Sequence, residues 1–248
     1  MMAFAAYGAF FLTTALAFAV VCIGLNLQWG MTGLFNVGIA GFVAVGAYTS
    51  AILTTPENAG HLGGFALPMP LGWLGAMLAS GLIAAAVGGI TLRLRSDYLA
   101  ITTFGVAVVI HLVALNAQTL TGGPFGIGFI PRGFESFADR PLVFGAGNLA
   151  LAAITVLAVY LVMERLARSP WGRVLRAIRE DETAATSLGK SPVRYRLQAF
   201  AIGGAIIIGV SEAATVQFIG AEWRAAVSFV LLILMLLFRP SGLFGGRA

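Results

Sequence analysis

Residues 181–192, read as DETAATSLGKSP, place charge, small side chains and turn formers at a spacing suited to mechanical rather than covalent chemistry. Asp181 is a good N-cap for a short helix running to Leu188. Gly189 fits the position after its end, and Pro192 stops it. The helix displays Ala184 and Ala185 between charges, starting at Glu182, and could dock into a groove on a cytoplasmic partner. Upstream, Val174, Leu175 and Ile178 are spaced for one helical face.

Covalent chemistry finds little support. The chain has two histidines, His61 and His111, and one cysteine, Cys22. They make no metal set, and no serine, histidine and aspartate arrangement stands out. Gly189, Lys190 and Ser191 imitate the end of a phosphate-binding loop, but the first glycine of that motif would fall on Ala184. The motif also needs a strand before it, where a helix is expected. We therefore assign no nucleotide site, no metal and no catalytic residue to this chain.

A second group of polar residues lies within apolar sequence. Asn26, Gln28 and Asn36 flank Gly30 and Gly33, glycines that can break a helix. A broken helix at membrane depth is tolerated only beside protein or a watery cavity, which makes these side chains candidates for a pathway lining. Thr102, Thr103 and His111 are further candidates. The threonines can equally bond back to their own helix, and His111 can bond to a neighbouring one. Glu212 falls in or near a later span, at the outside rim or at a proton-sensitive site.

The elements that must position these residues are membrane spans. Hydrophobic residues make up 59% of the 248, and charged residues only 10%. A soluble domain carries about 25% charged residues. No Lys or Arg precedes Arg93, and Glu57 is the one acid before it. Spans are expected at roughly 5–26, 34–54, 69–92, 98–117, 145–163, 197–218 and 224–238, near the length of about 20 residues that a bilayer requires. Gly33, Gly38, Gly41 and Gly46 recur in and just before the second of them, a spacing that lets helices approach closely in lipid. The first segment lacks a basic leader and is not read as a cleaved signal.

The net charge of +5 comes from arginines in short loops rather than from a nucleic-acid patch. Arg93 with Arg95, the eight basic residues from Arg165 to Arg196, and Arg239 with Arg247 form three clusters. Placing all three in the cytoplasm leaves only Arg132, Arg140 and Arg224 outside. The expected fold is an all-α polytopic bundle of about seven spans. Its N-terminus is periplasmic and its C-terminus cytoplasmic. Residues 1–248 make one transmembrane domain, and 164–196 form its longest cytoplasmic loop.

That loop, SPWGRVLRAIREDETAATSLGKSPVRYRLQAFAI, resembles the coupling loop of the branched-chain amino-acid permease family of ABC importers. The family pattern of a glutamate, two alanines and a later glycine falls on Glu182, Ala184, Ala185 and Gly189, with Thr183 inserted. LRLRSDYLAITTFG, LTGGPFGIGFIP and the ending LLILMLLFRPSGLFG are also similar to that family, in collinear order over most of residues 20–248. The N-terminal half looks more like one of the two paired permease types, and the tail more like the other. The sequence departs from the family between Ile206 and the last span. A glycine-rich hairpin of two spans is expected there, and GGAIIIGVSEAATVQFIG runs almost directly onward. Two spans preserve parity, so the orientation is unaffected.

The resemblance implies a second permease subunit, two cytoplasmic ATPase subunits that hold ATP and magnesium, and a periplasmic binding protein, all at a bacterial inner membrane. It assigns ATPase coupling to Glu182, Ala184, Ala185 and Gly189. The implied cargo is a branched-chain or related small amino acid. Urea, short amides or nucleosides suit the same machinery. A transporter or channel working alone would show paired intramembrane charges and inverted repeats, and neither stands out.

Overall fold

The computed structural model describes residues 2–56, 62–94, 96–128, 130, 131, 137 and 139–204. Every regular element among them is helical. The long helices are α1 (Met2–Leu25), α2 (Ile39–Thr54), α3 (Met69–Thr91), α4 (Ser96–Asn116) and α6 (Pro141–Arg168). The short α-helices among the described residues are α5 (Gln118–Thr121), α7 (Pro170–Glu180), α8 (Glu182–Ser187) and α9 (Pro192–Ile202). Four segments are long and apolar enough to cross a membrane: Phe11–Met31, Met69–Thr91, Tyr98–Asn116 and Leu142–Arg168. Only 17% of the α4 and α6 windows is buried within the chain. Their apolar faces look outward, where hydrocarbon or another subunit can cover them.

The first five expected spans coincide with helices, with two differences. The helix of the first span does not stop at residue 26. It continues as a π turn, Asn26–Met31, whose wider i to i+5 bonding suits a chain about to leave the helix. The second span loses its first turn, because residues 33–37 are irregular and α2 begins only at Ile39. Gly33 takes φ +71°, a left-handed conformation that favours glycine. The expected span 197–218 begins earlier, with Pro192 at the start of α9. The remainder of that span, the span 224–238, Glu212, Arg224, Arg239 and Arg247 lie outside the described residues, as do Glu57, His61, Arg95 and Arg132.

Packing follows small residues. On α3, Gly72, Ala76, Ser80, Ala84 and Gly88 are all buried at every fourth position. This stripe meets α2 and α9: the Ser80 hydroxyl donates to the Phe42 carbonyl at 3.1 Å, and Gly88 faces Leu197 and Phe200. The expected glycine contact of the second span is real at Gly38 and Gly41. A Cβ on Gly41 would lie 2.8 Å from the Ala107 Cα of α4. Two apolar clusters result. Val20, Leu27, Met31, Val159, Met163 and Leu175 join α1 to α6 and α7. Leu34, Phe42, Ala84, Leu99 and Phe200 join α2, α3, α4 and α9. Phe42 and Phe200 meet edge to face at 5.6 Å.

Candidate functional site

The cytoplasmic-loop candidate is built by local signals that agree with one another. Ser169 caps α7 by accepting from the Gly172 amide at 3.4 Å. Gly172 is required at this corner, since a Cβ there would sit 2.6 Å from the Leu166 carbonyl oxygen. α7 buries Gly172, Leu175 and Ile178. Val174, expected on the same face, is only half-buried and lines an outer groove instead.

Asp181 joins α7 to α8. Its carboxylate accepts from the Thr183 and Ala184 amides at 2.8 and 2.9 Å, the N-cap that its type and position foretold. α8 ends one residue before the expected Leu188. Gly189, at φ +74°, donates to the Thr186 carbonyl at 2.9 Å, and Lys190 donates to the Ala185 carbonyl at 3.1 Å. This pair of bonds is the Schellman arrangement that only a left-handed residue closes easily. Ala184 and Ala185 do not share a face. Ala184 is exposed, whereas Ala185 is buried and turned inward. Leu188 is 79% exposed, and with Ala184 it forms the apolar surface of the loop. Glu182 reaches Arg196 of α9 at 2.9 Å. An open groove of about 340 Å³ lies between α7 and α8, with Val174, Ala177, Ala185 and Leu188 in its wall.

The intramembrane candidates divide into two sets. Gln28, Asn36 and Thr103 are fully buried where α1 leaves its helix and α2 begins. The Asn36 Nδ2 donates to Gln28 Oε1 at 2.9 Å, and Gln28 Nε2 donates to the Phe200 carbonyl at 3.2 Å. Asn36 Oδ1 accepts from the Gly38 amide at 2.9 Å, and Thr103 Oγ1 from the Val37 amide at 3.2 Å. These bonds satisfy an irregular stretch of buried backbone, which would otherwise carry a heavy desolvation penalty. Asn26, Thr102 and His111 are not brought into this group. Asn26 and His111 are exposed. Thr102 bonds back to the Tyr98 carbonyl at 2.7 Å.

One set of well-placed side chains was not read from the sequence. Arg173, Arg176 and Arg179, spaced three apart on α7, had registered only as topology-setting charge. Each donates to a main-chain carbonyl near the end of a long helix. Arg173 reaches Arg168 at 3.3 Å and Arg176 reaches Ala167 at 3.1 Å, both in the last turn of α6. Arg179 reaches Gly30, in the π turn that ends α1. Cations there meet the unpartnered carbonyls and the negative end of the helix dipole. Their spacing was visible, but the distant partner of Arg179 was not. Among the described residues, no three of His, Cys, Asp and Glu are grouped to hold a metal ion.

Long apolar helices joined by a basic, capped loop define a multi-pass integral membrane protein. The chain belongs to the family of branched-chain amino acid transport system permease components, which it matches over residues 7–206. It is 35% identical to the high-affinity branched-chain amino acid transport system permease protein LivM of Salmonella typhimurium over 256 aligned positions, with 90% of this chain and 57% of that protein covered. LivM of Escherichia coli is 36% identical, with the same coverage. LivH of Salmonella typhimurium is 22% identical over 289 positions, with 94% of this chain and 92% of that protein covered. That alignment is longer than the 248-residue chain, so the relative carries internal residues that this chain skips. The chain spans 57% of the length of the two LivM relatives. No solved structure matches it.

Proposed function

We infer that this chain is a permease subunit of an ABC importer, forming the transmembrane path for branched-chain or related small amino acids. A periplasmic binding protein delivers the cargo, and separate ATPase subunits carrying ATP and magnesium drive the cycle. The path is completed by a second permease subunit in a bacterial inner membrane. The chain itself supplies no catalysis. The observation that carries this reading is α8. It is a helix fixed at both ends, by Asp181 and Gly189, that leaves Ala184 and Leu188 exposed. A rigid, exposed element of this kind can pass a partner's movement to the spans. Glu182, Ala184 and Gly189 give it charge, close approach and its end, while Ala185 anchors it.

The three basic clusters set its side. Within the Arg165 to Arg196 cluster, Arg165 and Arg168 lie in the last turn of α6 and Arg179 meets the end of α1, and the positive-inside rule assigns that end to the cytoplasm. Asn26, Gln28, Asn36, Thr102, Thr103 and His111 remain the candidates for contact with the path. Among them the exposed Asn26 and His111 are the ones free to face a second permease subunit.

The docking surface is tested by co-purification with the partner ATPase subunits. Leu188→Asp places a charge on an exposed position and leaves the fold intact. We expect it to abolish co-purification. Retention at the wild-type level removes α8 as the docking element.

A further inference from the structure

Two hydrogen-bonded routes leave α8 and meet in the π turn of α1. The first passes through Asp181, whose backbone belongs to two helices at once. Its amide donates to the Ala177 carbonyl of α7 at 2.9 Å, and its carbonyl accepts from the Ala185 amide of α8 at 3.1 Å. A shift of α8 therefore carries the last turn of α7 with it. Arg179 sits in that turn and donates to the Gly30 carbonyl, while its stem crosses Gly33, where a Cβ would lie 3.5 Å from Arg179 Cγ. The second route runs from Glu182 to Arg196 of α9 at 2.9 Å. Four residues along α9, the Phe200 carbonyl accepts from Gln28 at 3.2 Å. The two routes end at residues 28 and 30 of the same six-residue turn.

We propose that this π turn is the element that receives the motion of α8, and that Arg179 is the positioning residue that ties it to the cytoplasmic loop. A π turn holds one residue more than an α turn, so relaxing it to α bonding slides the helix before it by one residue, about 1.5 Å along the axis. That makes a discrete two-state step rather than a gradual bend. The step moves α1 against α6 and re-registers the Gln28 and Asn36 amides that hold the start of α2. The proposal rests on the reading of α8 as the docking helix.

The test uses the complete complex in liposomes, with Arg179→Gln, Arg179→Lys and, as a brace control, Arg176→Ala. Arg179→Gln is expected to lower substrate transported per ATP hydrolysed by about fivefold or more, the low end of coupling between linked sites. The ATPases stay bound and hydrolyse ATP near the basal rate. Arg179→Lys recovers part of the ratio, since a cation can still reach Gly30. Arg176→Ala leaves it unchanged. A second readout uses Cys22, the one cysteine of the chain, on α1. With cysteine-free partners, its labelling rate by a membrane-permeable maleimide should differ between the resting and the vanadate-trapped complex, and this difference should vanish in Arg179→Gln or, should that variant fail to accumulate, shrink in Arg179→Lys. Wild-type transport per ATP in Arg179→Gln overturns the proposal alone, as does an equal loss in Arg176→Ala or a Cys22 rate that ignores trapping in the wild type. ATPases that never associate with the wild-type chain overturn the importer reading and this proposal with it.

Discussion

The side-chain oxygen of Gln28 accepts a hydrogen bond of 2.9 Å from the Asn36 amide nitrogen, and both side chains are fully buried. Gln28 lies just before a helix break and Asn36 within it, and each also holds main chain: Gln28 the Phe200 carbonyl, Asn36 the Gly38 amide. Gly203 makes room for this pair, because a Cβ there would fall 2.6 Å from Gln28 Nε2.

Gln28→Ala should destabilise the protein markedly. It strands the Asn36 amide, and a buried group left without its partner costs about 1–3 kcal/mol; the Phe200 carbonyl keeps the Gly203 amide. Thermal unfolding in detergent should show the loss. The Gln28→Ala, Asn36→Ala double variant should cost less than the sum of the singles, with an interaction term of about 0.5–3 kcal/mol. Strictly additive losses would show that the amides do not share a bond.

Glycines on different faces should respond differently to a methyl group. Gly41→Ala forces a Cβ to within 2.8 Å of the Ala107 backbone, whereas Gly89 has nothing within 4 Å. Overpacking costs about 1–3 kcal/mol. Gly41→Ala should therefore lower the detergent melting temperature, and Gly89→Ala should hold or raise it through better helix propensity. Equal behaviour of the two variants contradicts the α2 and α4 contact.

The cap on α8 makes a local prediction. Asp181→Ala removes the acceptor for the Thr183 and Ala184 amides, a loss of about 1 kcal/mol. Hydrogen exchange at those two amides should accelerate, while α6 amides stay protected. Asp181→Asn, which keeps an oxygen acceptor, should retain most of the protection. Unchanged exchange in Asp181→Ala would mean that α8 does not depend on its cap.

These contrasts follow the divide between what could and could not be read in advance. Asp181, Gly189 and Pro192 announced α8 because caps and stops act over a few residues. The long apolar helices were equally plain, since lipid demands continuous apolar sequence whatever the packing. The π turn was not, because Asn26–Met31 continues an apolar helix and only the position of Gly30 and Gly33 hinted at a break. Gln28 and Asn36 were read as facing a pathway, but the Gln28 amide that holds Asn36 is itself bonded to the Phe200 carbonyl, far away in the chain. The stripe from Gly72 to Gly88 went unread, although it recurs at every fourth residue. Which helices it would meet was not legible.

The central claim is that α8 transmits the work of separate ATPases, and Gly189→Pro tests it most directly. Gly189 holds φ +74° and donates its amide to Thr186. Proline can do neither. In liposomes containing the partner permease, the ATPases and the binding protein, leucine-loaded binding protein should stimulate ATP hydrolysis with the wild-type chain. With Gly189→Pro that stimulation should disappear while the two permeases remain assembled. Equal stimulation in the variant, or no association of ATPases with the wild-type chain, would contradict the account.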